Sequence, residues 1–300
     1  MMNVVKLGYA YFATPDATKL QAYYENTLGI THVETVEKQA YLSTGLDHHN
    51  IVISQESESY LKTVGYQLNG EQSLKDVQKQ LSNHFVSSEI QQDAVAGIPE
   101  ILVLKDPEGY TLHLYNEMAF SKVGYKEVGI HPHKLGHIAL GASDPNRMIQ
   151  FYKEVLGFKF TDYIGDKAAF LTCNQDHHTL NISNIQKNVM HHIAFELHDA
   201  SHHVESGDRL AQRDMPIVWG PSRHTAGHNL ASYHHDPDLN LIELYTDMDQ
   251  YIAELDYFDP RPWHKELPLR PKVWDHNCVW GTTYEKSIFD SVMKKYETKV

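Results

Sequence analysis

The sequence predicts an α+β fold of tandem βαβββ modules, grouped as two pseudo-symmetric domains of two modules each, with sheets curled around a concave site. Three observations carry that expectation. Short apolar runs alternate with single amphipathic helical segments, the mark of mixed strand and helix layers. The order of these segments restarts at Val64 and again at His192, so each half divides in two. The halves also match in sequence. Lys6-Leu7-Gly8-Tyr9 lies over Lys134-Leu135-Gly136-His137 at an offset of 128 positions, and Asp106 to Tyr115 lies over Asp236 to Tyr245 at an offset of 130. A period that long marks a duplicated domain rather than a solenoid, whose repeats run ~20–50 residues.

The elements follow in order. Val5 to Phe12 is apolar and reads as a strand. Thr14-Pro15-Asp16-Ala17-Thr18 starts a helix in which Leu20, Tyr23, Tyr24 and Leu28 recur at helical spacing, and Gly29 closes it. Short strands lead through Val52 and Ile53 to the strand Thr63–Leu68, then a helix from Ser73 to Leu81. Ile101–Leu104 and Tyr110–Tyr115 form a hairpin across the turn Asp106-Pro107-Glu108-Gly109. The second half repeats the scheme. Leu135–Leu140 is a strand, and Ser143-Asp144-Pro145 starts a helix that buries Met148, Phe151, Tyr152 and Leu156 before Gly157 ends it. Strands near 158–163, 168–172 and 178–183 follow. The strand headed by His192, a helix from Ala200 to Arg213 and the hairpin closing at Asn240–Tyr245 complete the unit. The expected domains are 1–125 and 126–300.

Composition narrows the partners. Hydrophobic residues at 41% and charged residues at 22% are ordinary for a globular chain of 300 residues. A formal net charge of −13 excludes the basic face that nucleic acid needs and leaves no polybasic membrane patch. No run of 18 apolar residues predicts a membrane span, and no leader architecture opens the chain. Cys173 and Cys278 lack metal spacing and are too few for a disulfide framework, so a reducing cytoplasm is the expected setting. Histidine is the outlier. Of 21, only five precede residue 130, which points metal or proton chemistry to the second half.

His192-Ile193-Ala194 repeats His137-Ile138-Ala139 at 55 positions. Two matched strand histidines suggest two metal ligands. Glu243 sits among Leu241, Ile242, Leu244 and Tyr245, so its burial demands a partner, and a metal would be one. By the repeat offsets, Tyr9, Val64 and His113 stand where His137, His192 and Glu243 stand, and they make no credible ligand set. One metal centre, in the C-terminal domain, follows, with the first domain metal-free. Two histidines and one carboxylate form the facial triad of non-haem Fe(II) enzymes. Zinc with His and Glu ligands is the competitor.

On these residues the chain resembles the extradiol ring-cleaving dioxygenases of the vicinal oxygen chelate superfamily, catechol 2,3-dioxygenase-like, over nearly its whole length. The resemblance implies Fe(II), with Mn(II) as the alternative, held by His137, His192 and Glu243. Of the pair His191-His192 it places the metal on the second, and His191, facing away on an alternating strand, is not expected to touch it. Gly220-Pro221-Ser222-Arg223-His224-Thr225 resembles the family's G-x-x-R-H-T segment, and Tyr233 stands ten positions before Glu243 as the pattern requires. Asp176-His177-His178 resembles the segment bearing the acid/base histidine, with His178 the closer match and His177 the alternative. Ala226-Gly227 departs from the Asn and Asp that relatives often carry. The implied partners are a catechol-type substrate and O2, and the implied assembly is a homo-oligomer, a tetramer or larger. His178 would act as acid/base, while His224 and Tyr233 would hold the substrate oxygen. A glyoxalase- or isomerase-type metalloenzyme and a metal-free binding protein of the same fold are the alternatives. The tail from Asp249 carries Tyr251, Tyr257, Phe258, Trp263, Trp274 and Trp280, with Pro260, Pro262, Pro268 and Pro271. It is expected to be a lid, or else a packing arm or oligomer contact.

Overall fold

The structure, a computed structural model, describes residues 2–124, 128–259 and 272–297. Trp263 and the four tail prolines lie outside these residues, as does the expected domain boundary at 125/126. The chain divides into two compact units. One is Met1–Leu135 with Asn146–Gly157, and the other is Gly136–Pro145 with Phe158–Val300.

Four βαβββ modules are present. The first runs β1 (Val4–Thr14), α1 (Ala17–Asn26), β2 (Thr31–Val36), β3 (Gln39–Ser43) and β4 (Ile51–Gln55). The second runs β5 (Tyr60–Leu68), α2 (Leu74–Asn83), β6 (Ser88–Val95), β7 (Ile98–Lys105) and β8 (Thr111–Tyr115). The third has β9 (Lys134–Gly141), α3 (Pro145–Gln150), β10 (Lys159–Ile164), β11 (Ala168–Thr172) and β12 (Leu180–Ser183). The fourth has β13 (Met190–Glu196), α4 (Ala200–Ala211), β14 (Trp219–His224), β15 (Leu230–His235) and β16 (Leu241–Thr246). The first sheet is ordered β2-β3-β4-β1-β5-β8-β7-β6, and the second repeats that order as β10-β11-β12-β9-β13-β16-β15-β14. The tail adds β19 (Val273–Trp274) to one edge of the second sheet and β20 (Cys278–Gly281) to the other, after a small ribbon of β17 (Tyr251–Ile252) and β18 (Tyr257–Phe258).

Local chemistry explains the elements. Asp16 and Ser73 cap α1 and α2 by accepting from Lys19 N–H and Asp76 N–H. Gly29 and Gly157 take φ of +73° and +81° where their helical segments end, a conformation glycine adopts without strain. The helix expected to run to Leu156 loosens after Gln150 into a π-turn over Phe151–Val155, which still buries Phe151 and Tyr152. Glycine also sets the centre of each sheet. A Cβ on Gly8 would meet the Tyr115 hydroxyl at 1.8 Å, and one on Gly136 would meet that of Tyr245 at 1.9 Å. The duplication is thus visible in packing as well as in sequence.

The core of the first unit gathers Tyr9, Tyr41, Val52, Ile101 and Tyr115. That of the second gathers Ala194, Trp219, Tyr233, Leu241 and Tyr245. Ile288 and Val292 of α5 (Lys286–Glu297) are buried in that second cluster. Each such aliphatic chain contributes roughly 1.5–3 kcal/mol on burial, which holds the tail helix on the sheet. Among the described residues no helix is long and apolar enough to cross a membrane. Cys173 and Cys278 form no disulfide.

Candidate metal centre

The parallel pairing of β13 with β16, beside β9, brings three distant residues together. His137 Nε2 lies 3.2 Å from His192 Nε2 and 3.0 Å from Glu243 Oε2, and His192 Nε2 lies 3.1 Å from the same oxygen. All three residues are buried, and they are the sole metal-ligand cluster among the described residues.

The set fits an octahedral metal. Edges of 3.0–3.2 Å belong to an octahedral face around a centre ~2.1–2.3 Å from each atom, within the range of metal–nitrogen and metal–oxygen bonds. Burial alone would raise the Glu243 carboxyl, but the adjoining imidazoles of His137 and His192 hold it well below the usual range. Burial pushes the His192 imidazole down, with Glu243 opposing. The carboxylate is therefore anionic and His192 neutral near pH 7, the forms a cation requires. Outer contacts orient the ligands as well. Asn229 Nδ2 donates to Glu243 Oε1 at 2.8 Å, and His191 Nδ1 lies 2.7 Å from His192 Nδ1.

A cavity of about 490 Å³ opens on the triad, lined also by His178, His224, Tyr233 and Trp219. The His178 ring lies against His137 at 4.3 Å, and Tyr233 meets His192 edge-on at 5.5 Å. Trp219 stacks on both His224 and Tyr233, at 4.8 and 4.5 Å, making a flat wall. Burial holds His178 well below its ordinary value, brings His224 down to about 4 and pushes the Tyr233 hydroxyl up. Both imidazoles are neutral near pH 7, and the phenol keeps its proton. The buried His224 Nε2 has no hydrogen-bond partner among the described residues.

The structure thus brings together His137, His192, Glu243, His178, His224 and Tyr233. His177 turns away from the cavity, with Nε2 3.0 Å from Asp162. Two expectations are corrected. His191 does not simply face away: its ring borders His192, lines the cavity and reaches Tyr284 Oη at 2.8 Å. The residue matching His192 in the first unit is Thr63 rather than Val64. Gly65 pairs with His113 as Ala194 pairs with Glu243, so the strand register shifts the match by one. Thr63 is no better a ligand, and among the described residues the first unit has no metal cluster. Gly227 has a structural use. With φ of +80° it backs onto the His177 and His178 rings, where a Cβ would stand 3.2–3.3 Å from them. Sequence reasoning missed Asn229, Trp219 and Asp162. The tail residues Asp275, His276, Cys278 and Tyr284 line the cavity while α5 packs on the core, so the tail serves as cover and arm together.

Residues 134–244 match the family model described as the Glyoxalase/Bleomycin resistance protein/Dioxygenase superfamily. These residues form a domain of that superfamily. Across its length the chain is similar to a biphenyl-2,3-diol 1,2-dioxygenase of Paraburkholderia xenovorans, 25% identical over 93% of this chain and 97% of the relative. It is also similar to a 3-methylcatechol 2,3-dioxygenase of Pseudomonas putida, 23% identical over 81% and 89%. Among solved structures, the Mn(II)-bound glyoxalase from Novosphingobium aromaticivorans superposes with a TM-score of 0.80 at 24% identity, over 87% of this chain and 89% of that one. The superfamily's two-domain α+β fold of curled sheets is the fold seen here.

Proposed function

We propose that this chain is an extradiol dioxygenase, opening a catechol-type ring beside its two hydroxyls with O2 and giving a muconic semialdehyde-type product. One observation carries the reading. A three-sided His137–His192–Glu243 face opens into a single cavity with His178, His224 and Tyr233 around it. The dioxygenase relatives named above support it.

Fe(II), or Mn(II), held by His137, His192 and Glu243 would offer open positions for both catechol oxygens and O2 side by side and would make the phenols more acidic. The protein's own groups do the rest. The wall of Trp219 and Tyr233 orients the aromatic ring. His224 Nε2 and the protonated Tyr233 hydroxyl hydrogen-bond the substrate oxygens. His178, neutral and beside the triad, takes and returns the proton that ring opening moves. The first unit is metal-free and supports the fold. The assembly is a homo-oligomer, a tetramer or larger, in a reducing cytoplasm.

The fold likeness to a Mn(II)-bound glyoxalase raises a second reading, an isomerase that consumes no O2. The cluster's three members favour the dioxygenase, since such isomerases generally use four protein ligands. Anaerobic loading with Fe(II), then substituted catechols in air, separates the two. A yellow product with stoichiometric O2 uptake is expected. Absence of both with every catechol sinks the dioxygenase reading.

A further inference from the structure

We infer that Asp162 and His177 are positioning residues that fix the hydrogen placement on His178 and tie it to the C-terminal segment. The inference rests on the reading of His178 as the acid/base group.

Asp162 sits on β10 just after a bulge, with its side chain only 4% exposed. Its Oδ1 accepts from Lys272 N–H at 2.7 Å, and its Oδ2 accepts from Trp274 Nε1–H at 2.8 Å. That Oδ2 also lies 3.0 Å from His177 Nε2. A carboxylate oxygen only accepts, so His177 carries its hydrogen on Nε2. With one ring hydrogen on His177, its Nδ1 is then a bare lone pair. His178 Nδ1, 2.9 Å away, must donate to it. The remaining nitrogen of His178, Nε2, is left as a lone pair, the form in which it accepts a proton. Reversing any one of these bonds reverses the next.

Lys272 and Trp274 begin the tail segment whose residues Asp275, His276 and Tyr284 line the cavity. The carboxylate that sets His178 is therefore also the one that seats this segment. His177 is held flat against Phe258, with ring centres 5.0 Å apart, so its orientation has little freedom.

The first unit contains the same relay. Glu34 Oε1 lies 2.8 Å from His48 Nε2, and His48 Nδ1 lies 3.0 Å from His49 Nδ1. Glu34 likewise follows a bulge on β2. There, however, the carboxylate is 45% exposed, and among the described residues the unit has no metal cluster. This gives an internal control: a relay that only holds a loop would matter equally in both units.

The test uses the full chain, labelled with 15N at histidine. Ring-nitrogen NMR of the metal-free protein reads the His178 tautomer, assigned by its loss in His178→Phe. Steady-state kinetics of the Fe(II)-loaded protein give kcat and KM for catechol. Wild type is expected to show His178 as the Nδ1–H form. Asp162→Ala, which removes the acceptor, should admit the Nε2–H form and lower kcat ~10–100-fold with KM held within about threefold. Asp162→Glu should restore the wild-type form, and Glu34→Gln should change neither readout. Should Asp162→Ala fail to fold, His177→Phe makes the same cut while sparing the bonds to Lys272 and Trp274, and the same kcat loss is expected. An unchanged tautomer with undiminished kcat, or an equal loss in Glu34→Gln, overturns the inference. Wild type inactive on every catechol removes the dioxygenase reading, while the tautomer shift still decides the relay.

Discussion

Replacing Glu243 with Gln keeps the shape of the triad and removes its one anion. The amide oxygen of the new side chain can still accept from Asn229 Nδ2, which lies 2.8 Å from Glu243 Oε1. The amide nitrogen then faces His137 and His192, where the carboxylate oxygen stands at 3.0 and 3.1 Å. The metal-free variant is therefore expected to fold, since both of its polar ends have partners. What it loses is the gain on metal binding. At metal concentrations ~100 times Kd the wild type gains ~2.7 kcal/mol, which for a domain of this size raises Tm by ~5–11 °C. The Glu243→Gln variant should show no rise at the same concentration and no metal after desalting. Anaerobic thermal melts with and without Fe(II) or Mn(II), paired with elemental analysis, read both. A variant that keeps the full metal-dependent rise shows that Glu243 is not a ligand. A variant that melts far below wild type before metal is added shows that its charge serves folding instead.

Three further outcomes are expected. His178→Phe should retain its metal and lose ~10²–10⁴-fold in turnover, measured as O2 uptake at saturating catechol; an unimpaired variant removes the acid/base role. Asn229→Ala should weaken metal binding ~10–100-fold in a chelator competition, because Glu243 loses the donor that orients it. His113→Phe should leave metal content unchanged, since among the described residues that half has no ligand cluster. It should also flatten the acid limb of the stability curve. Burial brings His113 down to about 4 in the folded chain, so the unfolded chain binds the proton first as pH falls. Its neutral form supports folding above pH ~6.5, and that support is lost progressively toward pH ~4, by up to about 3 kcal/mol. Urea titrations at pH 4.5 and 7 measure the difference, and an unchanged pH slope in the variant refutes the assignment.

The modules were legible because each is a strand-period run followed by one capped helix, written four times. His137 and His192 were legible as a repeated His-Ile-Ala strand, and Glu243 as a carboxylate in an apolar strand. His178, His224 and Tyr233 emerged only through resemblance, because a loop histidine or a strand tyrosine has no spacing that marks it. Val64 falls over His192 at the 128 offset, but the offset grows to 130 along the chain and sequence does not show where each added residue enters. Only the strand pairing places Thr63 there. Asp162 was invisible as one acid in a strand, although Asp47-His48-His49 over Asp176-His177-His178, 129 positions apart, carried a signal. The π-turn after Gln150 left none, since Phe151, Tyr152 and Leu156 fit an α-helix equally well.

The same frame serves two units, and only one gathers ligands, for a reason that lies in donors and acceptors. In the first unit Tyr9 stands where His137 stands, and its hydroxyl lies 2.6 Å from His113 Nδ1. Burial pushes the Tyr9 hydroxyl up and the His113 imidazole down, so an O–H donor meets a neutral nitrogen acceptor. That pair is complete without any ion, and the unit buries it in an aromatic core. In the second unit the converging atoms are two imidazole nitrogens and a carboxylate oxygen. Three electron-rich atoms about 3 Å apart need shared protons or a cation between them, because burying them bare is unfavourable. Changing a hydroxyl donor to an imidazole, its imidazole partner to a carboxylate and Thr63 to a second imidazole turns a closed hydrogen bond into a cation site on the same strand order.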